Sequence, residues 1–463
     1  MTPARLTALD ASFLTAESPT AHMHVGWAAR FDPPESGTPP SFAELRDHIA
    51  ARLCRAPRYR QRLAPVPLGL CAPEWVDAED FDIDRHVVRC DATDLGEAIE
   101  TALSMPLSRA HPLWEVWVCD NLDDGRLTLV GKVHHCMVDG LAAVELGALL
   151  LDPTEAPPAG EPDGWAPVRA PAPFELLARG ARDRLRNAAD LAGLPARLLS
   201  APGRAVADAR RVVHALGSAG RPARPHGVLN EPISPLRHLG VLSRELDDLL
   251  TIKRRFGVSV NDVLLAACAG GMRRFLLRRG LEPEALKTMV PVSVREGNGA
   301  ELGNRISFVF APLPCDRPDR LDRLMTVHAA MRRHKTGGAS RGGEAVLDAL
   351  RLAPPLVQRA ATRVVSSPRT FNLVVSNIPG PRIPLYMRGC RMIEAFPVVP
   401  LADRHALSIG FTTLAGRACF GLYADREALP DVDDLAREID SELDGLLRLA
   451  GVRAREVREL VPA

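Results

Sequence analysis

A proline-rich run, DPTEAPPAGEPDGWAPVRAPA from Asp152 to Ala172, splits the chain into two stretches that each alternate strand-like and helix-like patterns. The run holds too few periodic apolar residues to bury a face, so it reads as an extended linker. With 463 residues, two units each able to bury a core are the expectation. The first, residues 1–152, has strands at MHVGWAARF, LWEVWVC and RLTLVGKVHH and a helix, SFAELRDHIAARL, opened by Ser41. A crossover region, residues 153–235, includes an Ala- and Arg-rich stretch from Phe174 to about Pro225 that reads as helical pieces broken by Pro195 and Pro202. Its arginines either solvate a connecting helix or meet phosphates.

The second unit, residues 236–463, resumes the α/β pattern with helices at SRELDDLLTIKRRFG and SVNDVLLAACAGGMRRFLLRRG and strands at KTMVPVSVR and NRISFVFAPLP. A helix near DRLMTVHAAMRR, strands at FNLVVSNI, ALSIGFTTLAG and RACFGLYA, and the helix DVDDLAREIDSELDGLLRLAG complete it. The 58 basic and 57 acidic side chains nearly cancel, so no net field recruits nucleic acid or an anionic membrane. The start, MTPARLTALDASFL, has no secretory pattern, and no apolar window is long enough to span a bilayer. Nine cysteines without a CxxC pair fit neither a disulfide framework nor a zinc knuckle. A cytoplasmic protein with peripheral membrane contact, and no metal, is the expectation.

The segment that carries chemistry is HHCMVDG, residues 134–140, at the end of a strand and before the apolar LAAVELGALLL. Side chains alternate along a strand, so His135 shares a face with Leu127, Leu129 and Val133, while His134 points with Thr128 and Val130. The two histidines therefore have different jobs. Asp139 stands where a helix would begin and Gly140 where the backbone must turn tightly. An alcohol attacking a thioester needs a base to take its proton, and a neutral imidazole suits that task near pH 7. A buried, hydrogen-bonded histidine pair with Asp139 as a plain cap is the competing reading. Adjacent strand histidines diverge, which argues against a metal site.

HHCMVDG together with LDASFLTAESPTAHMHVG, HPLWEVW, SVNDVLLAA, VPVSVR, LGNRISFVFAPLP, NLVVSNIPGP and PLADRHALSIGFTTLAGRACFGLYADR resembles the bacterial wax ester synthase/diacylglycerol acyltransferases over nearly the whole chain. Their HHxxxDG motif is shared with chloramphenicol acetyltransferase and nonribosomal peptide condensation domains. The resemblance implies two chloramphenicol acetyltransferase-like α/β halves facing each other as a pseudo-dimer across a tunnel. It implies acyl-CoA as co-substrate without a resident cofactor, and a diacylglycerol or long-chain alcohol acceptor met at a membrane or lipid-droplet surface. It makes His135 the general base, supported by His134, with Asp139 and Gly140 shaping the motif. Asp139 would then pair with an arginine of the facing half, Arg295 or Arg305.

Secondary motifs keep two readings each. Pro112, Leu113 and Trp114 either line an acyl pocket or pack a strand start. Asn261 and Asp262 either brace the site from the second half or, with Ser259, form a capping box. Ser408, in ALSIG, lacks the first glycine and the strand-turn-helix setting of a nucleophile elbow, so it is not expected to act as one. Transfer to another lipid alcohol or carrier-bound substrate, hydrolysis, and a silent lipid-surface binder are the alternatives. A silent binder has no need of His135.

Overall fold

The computed structural model describes residues 5–34, 38–69, 71–137, 150–156, 164–192, 222–293, 306–336 and 355–451. The first half runs through helix α1 (Ala8–Ala16), strand β1 (His24–Asp32), helix α2 (Phe42–Arg52), a ribbon of β2 (Gln61–Ala64) and β3 (Glu74–Asp77), then β4 (Val87–Arg89), α3 (Leu95–Ser104), β5 (Trp114–Cys119) and β6 (Leu127–His134). Helix α4 (Pro173–Ala192) precedes β7 (Arg237–Glu245), α5 (Leu246–Phe256), α6 (Val260–Arg278), β8 (Leu286–Ser293), β9 (Ile306–Leu313) and α7 (Arg320–Thr336). Then come α8 (Pro355–Val365), β10 (Leu373–Ile378), β11 (Tyr386–Met387), β12 (Cys390–Val398), β13 (Leu407–Leu414), β14 (Arg417–Asp425) and α9 (Val432–Leu449).

Two six-stranded sheets result, in the orders β11-β12-β1-β6-β5-β4 and β7-β14-β13-β10-β8-β9. A division at residues 152 and 236 is not a division by sheet: β12 lies antiparallel to β1, with Gly26 opposite Val398 and Ala29 opposite Ala395. The far end of the chain thus completes the first sheet. At the end of β12, Pro397 lies against Gly410 and Gly421 of the second sheet, and a Cβ on Gly421 would come within 2.2 Å of the Pro397 carbonyl oxygen. Side chains at those two positions would force the sheets apart.

Local signals explain where helices start. Ser41 and Glu44 cap α2 reciprocally, and Ser259 and Asp262 do the same for α6. The segment read as the helix SRELDDLL divides instead, with Ser243, Arg244 and Glu245 ending β7 and the helix beginning at Leu246. Strand β6 is buried on both faces, and its alternation sorts side chains between cores. Leu127, Leu129 and Val133 enter the core beneath α2, while Val130 enters the larger core shared with the second half.

Helix α3 lies against β7 and joins the halves alongside the β1–β12 pairing. Lys132 of β6, fully buried, donates to the carbonyls of Ala102 and Met105 at the C-terminal end of α3, both at 2.7 Å, and sits 3.0 Å from Glu115. Carbonyls at a helix end favour a cation, which offsets the desolvation that lowers the Lys132 pKa. Across the interface, Arg237 donates to the Thr20 carbonyl and its backbone N–H to Ser104 Oγ.

His238 bridges the halves, with Nδ1 on Glu100 of α3 and Nε2 2.8 Å from Asp433 of α9, while Arg426 also pairs with Glu100. Both ring nitrogens face carboxylates, an arrangement in which both can donate only when the ring is an imidazolium. The bond to Asp433 raises its pKa above the ordinary 6.5 against the lowering by burial, and Glu100 adds to the rise. A raised folded value means the contribution is complete below the unfolded pKa and is lost as pH rises through the folded one. The melting-temperature gap between wild type and His238→Gln should therefore be widest below pH 6.5 and close as the medium turns alkaline. A gap independent of pH would rule the bridge out as a charged link.

Candidate active site

Strand β6 ends at His134, and His135 occupies the first position of the turn beyond it. Helix α1 lies over this turn. Thr7 caps it, its hydroxyl accepting the Asp10 N–H at 3.1 Å. One turn later, Phe13 stacks on the His135 imidazole with centroids 3.7 Å apart and planes 8° from parallel. Stacking fixes the ring plane and leaves the nitrogens at its edge. An aromatic face also favours the cationic form that appears when the base takes a proton. Phe13 packs against both large cores, and α1 against α8 of the second half, so His135 stands where the halves converge.

The His135 N–H donates to the Met23 carbonyl at 2.9 Å. Met23 holds φ +51°, a left-handed backbone that costs a non-glycine residue about 1–3 kcal/mol. The strain is held on one side by paired backbone bonds between Ser18 and Ala21, and on the other by β1, where His24 stands opposite His134.

His134 is fully buried, and its Nδ1 accepts the Cys136 N–H at 3.1 Å, which places its own proton on Nε2. Burial first, then the neighbouring His135 and Arg109, push its pKa down to about 3. Glu17 lies 3.7 Å from Nε2, too far to hydrogen-bond, and is itself paired with Arg109. His134 thus stays neutral and turned inward, suited to shaping the turn. His24 accepts the Leu107 N–H on Nε2 at 3.4 Å, and burial above all holds it neutral as well.

The PLW block meets the motif through its backbone. The Leu113 carbonyl accepts the His134 N–H at 2.9 Å, and Trp114 is registered against Val133. Trp114 is buried in the core beneath α2, its indole N–H on the Tyr59 carbonyl at 2.7 Å and its ring stacked on His86. Leu113 and Trp114 pack the strand start and pin the end of β6, and Pro112 precedes them in the turn. Asp262 accepts from Ser259 N at 2.8 Å and lies 2.8 Å from His328 Nδ1 of α7, so its bonds stay within the second half. Asn261 beside it is half-buried. Ser408 is a buried strand residue whose hydroxyl donates to the Val399 carbonyl at 2.6 Å. Asp139, Gly140, Arg295 and Arg305 lie outside the described residues. Among the described residues no cluster of His, Cys, Asp or Glu is arranged to hold a metal ion.

Phe13, Met23 and His24 went unnoticed as site residues in the sequence. Thr7 followed three residues later by Asp10 is the capping signal that would have placed α1, and with it Phe13. Nothing local marks Met23, whose role depends on a strand more than a hundred residues away.

Known proteins resemble the chain in sequence and in fold. The model of the wax ester synthase/diacylglycerol acyltransferase catalytic domain matches residues 6–264, and that of the WS/DGAT C-terminal domain matches residues 302–447. A probable diacylglycerol O-acyltransferase, tgs1, of Mycobacterium tuberculosis is 33% identical over 97% of this chain and 96% of its own length. Its tgs2 counterpart is 31% identical over 96% of this chain and 98% of its own length. Among solved structures, the wax ester synthase/diacylglycerol acyltransferase from Marinobacter aquaeolei VT8 superposes with a TM-score of 0.70 at 26% identity, covering 98% of this chain and all of that one. The first condensation domain of the CDA synthetase, at 17% identity and a TM-score of 0.56 over 99% of both chains, shares the fold.

Proposed function

The chain belongs to the wax ester synthase/diacylglycerol acyltransferase family, and on that premise we propose that it transfers an acyl group from acyl-CoA to diacylglycerol, with His135 as general base. The observation that carries this reading is His135 itself: its amide is anchored to Met23, its ring plane set by Phe13, and it lies where the two halves meet. The imidazole takes the hydroxyl proton as the alcohol oxygen bonds to the thioester carbonyl carbon. The tetrahedral intermediate then collapses, the C–S bond breaks, and the imidazolium returns the proton to the departing CoA thiolate. No cofactor is needed. Long-chain alcohols serve as second acceptors giving wax esters, in keeping with the paired activities in the name of the Marinobacter protein.

Among the described residues no helix is long and apolar enough to cross a membrane. The protein meets its lipid acceptor peripherally, at a membrane or lipid-droplet surface facing the cytoplasm. Purified protein supplied with palmitoyl-CoA and a panel of alcohols should release CoA thiol only with an acceptor present, diacylglycerol giving triacylglycerol. Free palmitate without an acceptor would make it a hydrolase, and no thiol release would leave a silent binder.

A further inference from the structure

Helix α4 is amphipathic in the inverted sense. Leu176 turns inward against Ala64 and Val76, and two charged side chains of α4 pair with the body of the protein: Arg179 with buried Glu74 at 3.4 Å, and Asp183 with Arg5. Phe174, Ala178, Ala181 and Leu185, spaced four, three and four residues apart, form one outward face. Phe174 is 71% exposed and Leu185 73%. Beside the helix, the turn Pro67–Gly69 presents Leu68 at φ +61°, 88% exposed. Large apolar side chains grouped in this way mark a contact surface.

The charges near the stripe choose its partner. Arg182, on the flank of the stripe, and Arg169, on the approach to the helix, are exposed, while exposed Glu175 accepts the Ala172 N–H at the start of α4. A two-fold contact with a second copy would duplicate these arginines across one interface. Phe174 and Leu185 stand about 16 Å apart along the helix with only small residues between them, which suits a soft apolar medium better than the close-packed pockets of a protein interface. An apolar face flanked by arginine fits the boundary between headgroups and acyl chains of an anionic lipid surface.

We propose that the outward face of α4, with Leu68 beside it, docks the protein onto an anionic lipid surface. Ion pairs to Arg5 and Glu74 hold the helix in place beforehand, so docking orders little new structure. The inference rests on the reading that the acceptor is a lipid alcohol, and its test separates the two.

Co-sedimentation with phosphatidylglycerol/phosphatidylcholine vesicles containing diacylglycerol should retain the wild type. The Phe174→Asp/Leu185→Asp variant should lose about tenfold or more in partitioning. Arg182→Glu should weaken binding to these vesicles and leave binding to pure phosphatidylcholine unchanged. All variants alter exposed positions, and matching melting curves establish that they fold. With water-soluble hexanoyl-CoA and 1-hexanol, the double variant should turn over like wild type, while its turnover of vesicle-borne diacylglycerol falls. Wild type left in the supernatant, or a double variant that sediments like wild type, overturns the proposal whatever the enzyme assay gives. Loss of sedimentation in the double variant with no ester formed by any protein upholds docking and sinks the acyltransferase reading.

Discussion

Replacing His135 with alanine should lower kcat by at least about a hundredfold, the range a positioned general base contributes. The melting temperature should hardly move. The half-buried ring is lost, but an alanine keeps the amide that bonds to Met23 and the strand end that it anchors. His134→Ala should do the reverse. Its ring is fully buried and accepts the Cys136 N–H, so truncation strands a buried donor at about 1–3 kcal/mol and lowers stability before chemistry. Stopped assays of CoA thiol release alongside thermal melts would separate the two. A His135→Ala protein with more than a tenth of wild-type turnover would remove it from the base role, and an unaltered His134→Ala melting curve would remove His134 from the scaffold.

The sorting of β6 side chains between the two cores was legible in the sequence because it follows from strand alternation alone. Leu129 and Val133 went to one core and Val130 to the other, as the period of two requires. Capping chemistry was equally local, and Ser259 with Asp262 formed the reciprocal cap. What escaped sequence reading depends on long-range pairing. Strand β12 shows no clean alternation, because one edge pairs with β1 while Pro397 presses on the second sheet, so its burial follows two neighbours at once. Met23 acquires its role from a carbonyl turned toward His135 by a left-handed backbone, and residue identity does not announce that conformation. The PLW block kept two readings, pocket wall and strand-start packing, because a large apolar Trp114 suits either. Only the distant Tyr59 carbonyl, which receives the indole N–H inside the core, separates them for Trp114.

In the second half, Glu442→Ala should cost about 3–5 kcal/mol, the penalty for breaking a buried ion pair from one side. Helix α9 approaches α6 at Gly270 and Gly271, where a Cβ would fall 2.3 Å from the Glu442 carboxyl carbon and 2.9 Å from the Ile439 backbone nitrogen. That closeness encloses the Glu442 carboxylate, 1% exposed, among Arg274, Arg320 and Arg323. Arg274 and Arg278 also reach Glu438, one turn earlier on α9. Arg274 and Arg320 reach partly toward solvent, but Arg323 is 2% exposed and its Nε has no partner among the described residues. Removing Glu442 therefore leaves Arg323 a buried cation deprived of its carboxylate. Replacing both partners by apolar residues, Glu442→Leu with Arg323→Met, should recover much of the loss, because the uncompensated charge goes with the pair. Urea unfolding of the wild type, both single variants and the double variant would measure the coupling. Specific activity per folded molecule should stay close to wild type throughout, since among the described residues no hydrogen bond or ion pair joins this cluster to the histidine turn. Purely additive losses, or a Glu442→Ala midpoint equal to wild type, would show that the arginines are solvated in solution and that the helix layer holds by apolar packing alone.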